Sequence, residues 1–212
     1  MTPAPPSFLC AGAAHWDIIG QTSHALLPGA DVPGRVSRRP GGVAQNVARA
    51  LAALGHPAVL LAAIGRDPEG AALAADLSAA GVDCAGLHRH DGPTDRYLGI
   101  EGPTGALHAA VADCAGLERA GLALLAPLRD GRLPSPWPGT LVLDGNLPPA
   151  TLGAFLEVPA AALALVPASP AKAARLAPCL AARPAALYLN RREAEALAGR
   201  PFGDTRSAAA AL

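Results

Sequence analysis

Two adjacent glycines, Gly41 and Gly42, stand just before a helix-period run from Val43 to Leu54, and Asn46 falls one turn into it. Without a Cβ on either glycine, the backbone can come close to a ligand. A helix starting there turns its free N–H groups and positive dipole end toward the same point. The Asn46 amide offers both a donor and an acceptor, which suits a hydroxyl-rich ligand. Asp17 follows a short apolar run, 8–14, predicted to be the first buried strand of a parallel sheet. Open α/β sheets bind ligands beyond the carboxyl ends of their strands, and a carboxylate there accepts two hydroxyls at once. Asp113 closes the alternating run 107–112, and Asn190-Arg191-Arg192-Glu193 opens a helix after another apolar run. Each has a plainer reading as well. Gly41-Gly42 can be a tight turn with Asn46 solvated, Asp17 a turn or capping residue, Asp113 a strand end, and Glu193 a first-turn acid complementing the helix dipole.

Such residues need elements to hold them. Apolar runs at 8–14, 58–64, 141–143, 162–166 and 186–189 read as buried strands. Helical stretches at 43–54, 71–80, 149–157 and 170–180 lie between them, and another runs from Asn190 to Gly199. Asp67 and Pro68 fit the cap and first position of the 71–80 helix. Strand, helix, strand at this spacing predicts right-handed crossovers and a parallel sheet. Two alternating regions, about 18–39 and 96–112, fall outside that pattern; a Gly-Pro-Thr-Gly turn at 102–105 folds the second. They read as antiparallel strands of a small sheet beside the main domain.

A chain of 212 residues with 51% hydrophobic and 16% charged residues is globular, and one domain is expected. Zero formal net charge argues against an extended nucleic-acid footprint, and the cluster Arg35, Arg38, Arg39 reads as a solvated loop or lid. Cys10, Cys84, Cys114 and Cys179 form no CxxC pair. Reduced thiols in the cytoplasm are the simplest account. The proline-bearing start lacks a basic leader, and no uninterrupted apolar run reaches membrane-spanning length. His88 and His90 share a strand face but lack a third ligand nearby, so a solvated pair is expected. The only lysine, Lys172, is not in a glycine-rich loop, which excludes a Walker A site.

The whole stretch PGGVAQNVARALAALGHPAVLLAAIG, Pro40 to Gly65, resembles the N-terminal signature of the ribokinase-like (PfkB) carbohydrate and nucleoside kinases. The resemblance implies a three-layer αβα fold with a mainly parallel sheet and a small antiparallel β lid that often serves as a dimer face. It implies ATP-dependent phosphorylation of a sugar or nucleoside hydroxyl, with ATP and Mg2+ as cofactors and a monovalent cation as a further candidate. Asp17, Gly41, Gly42 and Asn46 would hold the sugar hydroxyls; His15 stands where the family has Asn. The segment AVADC, 110–114, resembles AVADM of the family's pseudouridine kinases, which implies a substrate contact for Asp113. LVLDGNLPPATL from Leu141 and VPASPAKAARL from Val166 also resemble that subfamily, and Asn146 takes the place of a substrate-binding polar residue. The narrower implication is pseudouridine, phosphorylated at its 5′-hydroxyl. Ribose or fructose is the alternative, as is a catalytically incomplete substrate-binding fragment. Asn190 and Glu193 match an Asn-x-x-Glu motif that organises Mg2+ and phosphate through water, with Leu189 in place of the family's Pro. No Gly-Ala-Gly-Asp, which supplies the family's anion hole and base, occurs in these residues. The expectation is a C-terminally truncated kinase domain over 1–212, whose base lies beyond Leu212 and which is inactive alone.

Overall fold

The computed structural model describes residues 8–182 and 186–210; the proline-bearing start, on which the expectation about a leader falls, lies outside them. In chain order the elements are β1 (Phe8–Ala11), β2 (His15–Gln21), β3 (Arg35–Gly41), α1 (Val43–Ala53), β4 (Ala58–Leu61), β5 (Ala63–Gly65) and α2 (Pro68–Ala79). Next come β6 (His88–His90), β7 (Arg96–Glu101), β8 (Leu107–Asp113), α3 (Ala115–Ala120), α4 (Ala126–Arg129), β9 (Trp137–Asp144) and α5 (Pro149–Leu156). Then β10 (Ala160–Val166), α6 (Pro170–Ala173), α7 (Ala177–Ala182), β11 (Ala186–Leu187), α8 (Arg191–Ala198) and α9 (Thr205–Ala210) follow.

Five strands form an all-parallel sheet in the order β11-β10-β9-β1-β4, with Leu9 opposite Val59 on one side and Leu141 on the other. Helices cover both faces, which is why these strands are continuously apolar. Alternate residues feed opposite layers. Leu9, Leu61, Leu141, Leu143 and Leu165 pack with Leu124, Phe155 and Leu176, while Cys10, Leu60 and Val142 pack with Ala44 and Ala48 of α1 and with Leu73 and Leu77 of α2. Asp67 caps α2 as expected, its Oδ1 accepting from the Gly70 N–H at 2.8 Å, with Pro68 in the first turn.

A separate four-stranded sheet has the order β3-β2-β7-β8. It consists of two antiparallel hairpins joined by a parallel β2–β7 seam, so the expected antiparallel lid carries one parallel pair.

Two strand boundaries differ from expectation. The run 58–64 is two strands: β4 joins the main sheet and β5 pairs with β6 in a two-stranded sheet. Beyond Leu61 the chain loses its neighbour, because β1 has already ended where the Gly12 N–H meets the Leu61 carbonyl at 3.0 Å. The run 8–14 likewise stops being a strand at Ala11, so Asp17 does not end β1; it lies inside β2, on the second sheet. At the break Gly12 packs against Asp144, whose Cβ sits 2.3 Å from where a Cβ on Gly12 would be and whose Oδ2 accepts from the Ala13 N–H. The predicted helix 170–180 is also divided, into α6, a 3-10 turn at Ala174–Leu176, and α7. No described helix is long and apolar enough to cross a membrane.

Candidate active site

The site is assembled around Asp144, the last residue of β9 and 1% exposed. Its Oδ2 accepts from the N–H of Ala13 at 2.9 Å and of Ala44 at 3.2 Å. Its Oδ1 accepts from the backbone N–H and the side-chain amide of Asn146, each at 2.7 Å. One carboxylate thus ties the end of β1, the first turn of α1 and the loop after β9. Burial pushes this carboxyl above the usual carboxylate range, while its N–H donors from Ala13, Asn146 and Ala44 pull the other way.

The Gly-Gly pair makes room for protein before it makes room for ligand. A Cβ on Gly41 would fall 2.1 Å from Asp17 Oδ1, and one on Gly42, at φ 100°, would fall 2.3 Å from the Ala13 carbonyl oxygen. Gly41 pairs with His15 across the β2–β3 ladder, which presses the Asp17 carboxylate over it. Asp17 Oδ1 lies 3.2 Å from His15 Nδ1, off the hydrogen-bond line, and Oδ2 lies 3.6 Å from Arg39 Nε. The His15 ring stacks on Tyr97 with centroids 6.4 Å apart.

Asp17, Gly42, Asn46 and Asn146 all line one cavity of about 580 Å3 beneath the second sheet. His15, Arg39, Tyr97, Glu101, Cys114 and Lys172 share its walls. Fully buried Gln45 donates from Nε2 to Asn46 Oδ1 at 2.6 Å, which leaves the Asn46 amide nitrogen as its free end. Lys172 Nζ donates to Asn146 Oδ1, so the ammonium is held on the wall opposite the second sheet through a relay that begins at Asp144. The cavity therefore offers an acceptor, Asp17, on its sheet wall, and donors from Asn46 and Lys172 on the wall built by the main domain. That set suits a polyhydroxylated ligand with acceptor oxygens at one end.

Other predicted residues lie elsewhere. Gly41 is buried under Asp17 and does not line the cavity. Asp113 is exposed and paired with Arg96; Ala112 and Cys114 on either side of it line the cavity, and strand alternation puts Asp113 on the outer face. Asn190 and Glu193 form a capping box: Asn190 Oδ1 accepts from the Glu193 N–H at 3.0 Å and Glu193 Oε2 from the Asn190 N–H at 2.9 Å. Asn190 borders a different hollow, of about 260 Å3, with Leu187 and Thr205. Only Glu193 Oε1 remains for a metal, and among the described residues no three His, Cys, Asp or Glu gather to hold one. Such a pair fits Mg2+ through retained waters and not as a complete ligand set. Two of the three clustered arginines are also engaged: Arg38 lies over the Trp16 ring at 4.2 Å and pairs with Glu69, and Arg39 flanks Asp17.

Several site residues were not singled out from sequence. Asp144 had a visible signal, a carboxylate ending an apolar strand just before Gly145. Ala168 had none: an ordinary residue on the cavity wall, it adopts φ 66°, a left-handed conformation that costs roughly 1–2 kcal/mol outside glycine.

Residues 6–127 match the model of the pfkB family carbohydrate kinases. The chain is 33% identical over 105 residues to the pseudouridine kinase of Escherichia coli, covering 48% of this chain and 33% of that protein. It is 34% identical over 120 residues to an uncharacterized sugar kinase of the same organism, again covering 33% of it. A solved carbohydrate kinase from Agrobacterium tumefaciens superposes over 91% of this chain and 63% of its own, with a TM-score of 0.73 and 31% identity. The ribokinase of Arabidopsis thaliana, solved with ribose and ATP, shares the fold at a TM-score of 0.69 and 17% identity. The matches to the curated relatives span about a third of their length. With the family match extending over more than half of its residues, the chain belongs to the pfkB family of carbohydrate kinases.

Proposed function

We propose that these residues form the substrate-holding part of an ATP-dependent kinase that phosphorylates a hydroxyl of a sugar or nucleoside, with pseudouridine the preferred substrate. One observation carries the reading: Asp17, Gly42, Asn46 and Asn146, from three stretches distant in sequence, line a single cavity under a separate sheet. Asp17 accepts two ribose hydroxyls, and Asn46, its oxygen occupied by Gln45, donates to a third. Asn146 and Lys172, on the main-domain wall, donate to the carbonyl oxygens of a base, which favours a nucleoside over a free sugar. The E. coli relative named pseudouridine kinase supports that choice. Asp113, facing outward, is left out of this contact set.

ATP and Mg2+ are the proposed cofactors. Mg2+ neutralises charge on the transferring phosphoryl group when bound. Glu193 would meet it through water, and the proton acceptor for the substrate hydroxyl is proposed to lie outside these 212 residues. The second sheet acts as the lid, and its outer face is proposed to pair with a second copy of the chain. Val36, Leu98 and Val111 are exposed there, Leu98 directly opposite Val111.

The test is calorimetry of the 212-residue chain with pseudouridine, uridine, ribose and fructose. Pseudouridine should bind most tightly, and loss of Asp17 or Asn46 should weaken its binding. Equal or absent binding of all four ligands would remove the proposal.

A further inference from the structure

The segment between β10 and α6 reverses at a residue that is not glycine. Ala168 has φ 66°. Across it the Ser169 N–H donates to the Pro167 carbonyl at 2.6 Å, an i to i+2 bond. Such a bond with a positive central φ marks a γ-turn of the rare and strained form. Strain of this kind persists only where the surrounding structure over-determines it, and it gathers at ligand sites.

The surroundings here are the loop that follows β9. The Gly145 N–H donates to the Val166 carbonyl at 2.8 Å, and a Cβ on Gly145 would lie 2.7 Å from the Pro167 carbonyl oxygen. The two loops are thus pressed backbone to backbone just before the turn. They meet again after it. The Ser169 carbonyl accepts from the Lys172 and Ala173 N–H groups, each at 3.0 Å, which opens α6. The Lys172 ammonium then reaches Asn146 Oδ1, and Arg175 Nη1 donates to the Asn146 carbonyl at 3.5 Å. A negative φ at residue 168 would open the reversal and start α6 in another direction. Ala168, Ser169 and Lys172 line the substrate cavity together with Asn146.

We propose that Ala168 is a positioning residue: its γ-turn aims α6 so that the Lys172 ammonium stands in the substrate cavity against Asn146, and this placement sets the preference for a nucleoside over a free sugar. The second half rests on the reading above, in which Asn146 and Lys172 meet the base. The position requires a positive φ, not a methyl group. Glycine meets that requirement without strain, whereas a β-branched residue opposes it. The groups proposed to hold the ribose, Asp17 and Asn46, stand on other elements, β2 and α1.

Lysine occurs once in the chain, so lysine-selective isotope labelling gives one backbone amide and one ε signal, both from Lys172. These NMR signals report its placement in the ligand-free 212-residue chain, and calorimetry reads pseudouridine and ribose binding. Ala168→Val should displace both Lys172 signals. It should weaken pseudouridine binding about tenfold, the scale of one lost charge-assisted contact, and leave ribose binding within about twofold. Ala168→Gly should keep the Lys172 signals and bind pseudouridine at least as tightly as wild type, with an equal or higher melting temperature because strain is removed. Unmoved Lys172 signals in Ala168→Val would overturn the proposal. So would a loss of pseudouridine binding in Ala168→Gly as large as in Ala168→Val, or an equal fall of ribose and pseudouridine binding in Ala168→Val. A wild type that holds ribose as tightly as pseudouridine would refute the nucleoside reading instead, and the Lys172 signals would still decide whether Ala168 places the ammonium.

Discussion

The carboxylate of Asp17 occupies the space a side chain on Gly41 would need: an added Cβ would lie 2.1 Å from Oδ1 and 2.3 Å from Cγ. The glycine and the acid are therefore one functional unit, although 24 positions separate them in the sequence. Gly41→Ala should weaken pseudouridine binding about as much as Asp17→Ala, each by roughly 1–3 kcal/mol, because each takes the carboxylate away from the ligand. The double variant should be no worse than Asp17→Ala alone, since the methyl group fills vacated space. Calorimetry on the four proteins gives the coupling energy. Fully additive losses would show that Gly41 acts independently of Asp17.

Asp144 should matter more to stability than any surface acid. Asp144→Ala leaves the buried N–H groups of Ala13, Ala44 and Asn146 without their acceptor and should cost about 3–5 kcal/mol. Asp144→Asn keeps the shape but turns an NH2 toward a donor, for roughly 1–3 kcal/mol. Urea unfolding measures both. A change under about 0.5 kcal/mol in Asp144→Ala, the size of an ordinary surface substitution, would contradict its role as the anchor.

Asp67 gives a pH dependence of defined sign. Burial works to raise its carboxyl, but the Thr94 hydroxyl, the Thr94 N–H and the Gly70 N–H outweigh it and hold the group below the usual range. A folded value below the unfolded one, about 3.9, means stabilisation that is present above it and lost as pH falls through the folded value. Wild type should exceed Asp67→Asn in stability by about 1 kcal/mol at pH 6, and the gap should close below about pH 4. Chemical denaturation at pH 6, 4 and 3 measures it; a constant gap would show that ionisation is irrelevant to the cap.

Cys114 lines the substrate cavity, yet its thiol is pushed up to about 11, first by burial and then by Asp95, with Lys172 opposing. Buried Cys10 reaches about 12. At pH 8 Cys114 should react with iodoacetamide roughly a hundredfold more slowly than a free thiol, and Cys10 only on unfolding. Peptide mass spectrometry over time reads both. Rapid Cys114 labelling would mean that its surroundings are far more polar than this structure shows.

The outer face of the second sheet should govern assembly. Replacing Val36 and Val111, 75% and 65% exposed, with Arg should turn a dimer into a monomer in light scattering while leaving nucleoside affinity unchanged. A wild-type chain that is already monomeric at high concentration would end the dimer proposal.

Most of the helices and buried strands were legible because hydrophobic period and end signals are local, although the short α3 and α4 were not. α1 runs into Gly55, α2 opens on Asp67-Pro68, and α8 opens on Asn190. Strand partners are not local. Nothing within 58–64 says that β1 ends early and forces a split, and nothing near Asp17 says that β2 belongs to another sheet. At the site, residue types were readable but directions were not. Asp113 turns outward by strand parity, and Glu193 spends one carboxylate oxygen on its own helix cap. Asp144 carried a strand-end signal, but its anchoring role was not readable: three of its four donors are backbone N–H groups, which no side-chain motif encodes.

β2 leaves the main domain directly after Ala13, whose N–H is clamped by Asp144, and runs to Gln21. At about 3.3 Å per residue, Asp17 lies roughly 13 Å from that clamp and Gln21 roughly twice as far. The strand is anchored again at Trp16, whose backbone N–H donates to the Asp95 carbonyl at 3.1 Å and whose indole N–H donates to the Glu69 carbonyl at 3.0 Å. Any swing of β2 therefore pivots beside Asp17: displacement grows with distance along the strand, so the tip at Gln21 travels farthest and the carboxylate one residue past the anchor least.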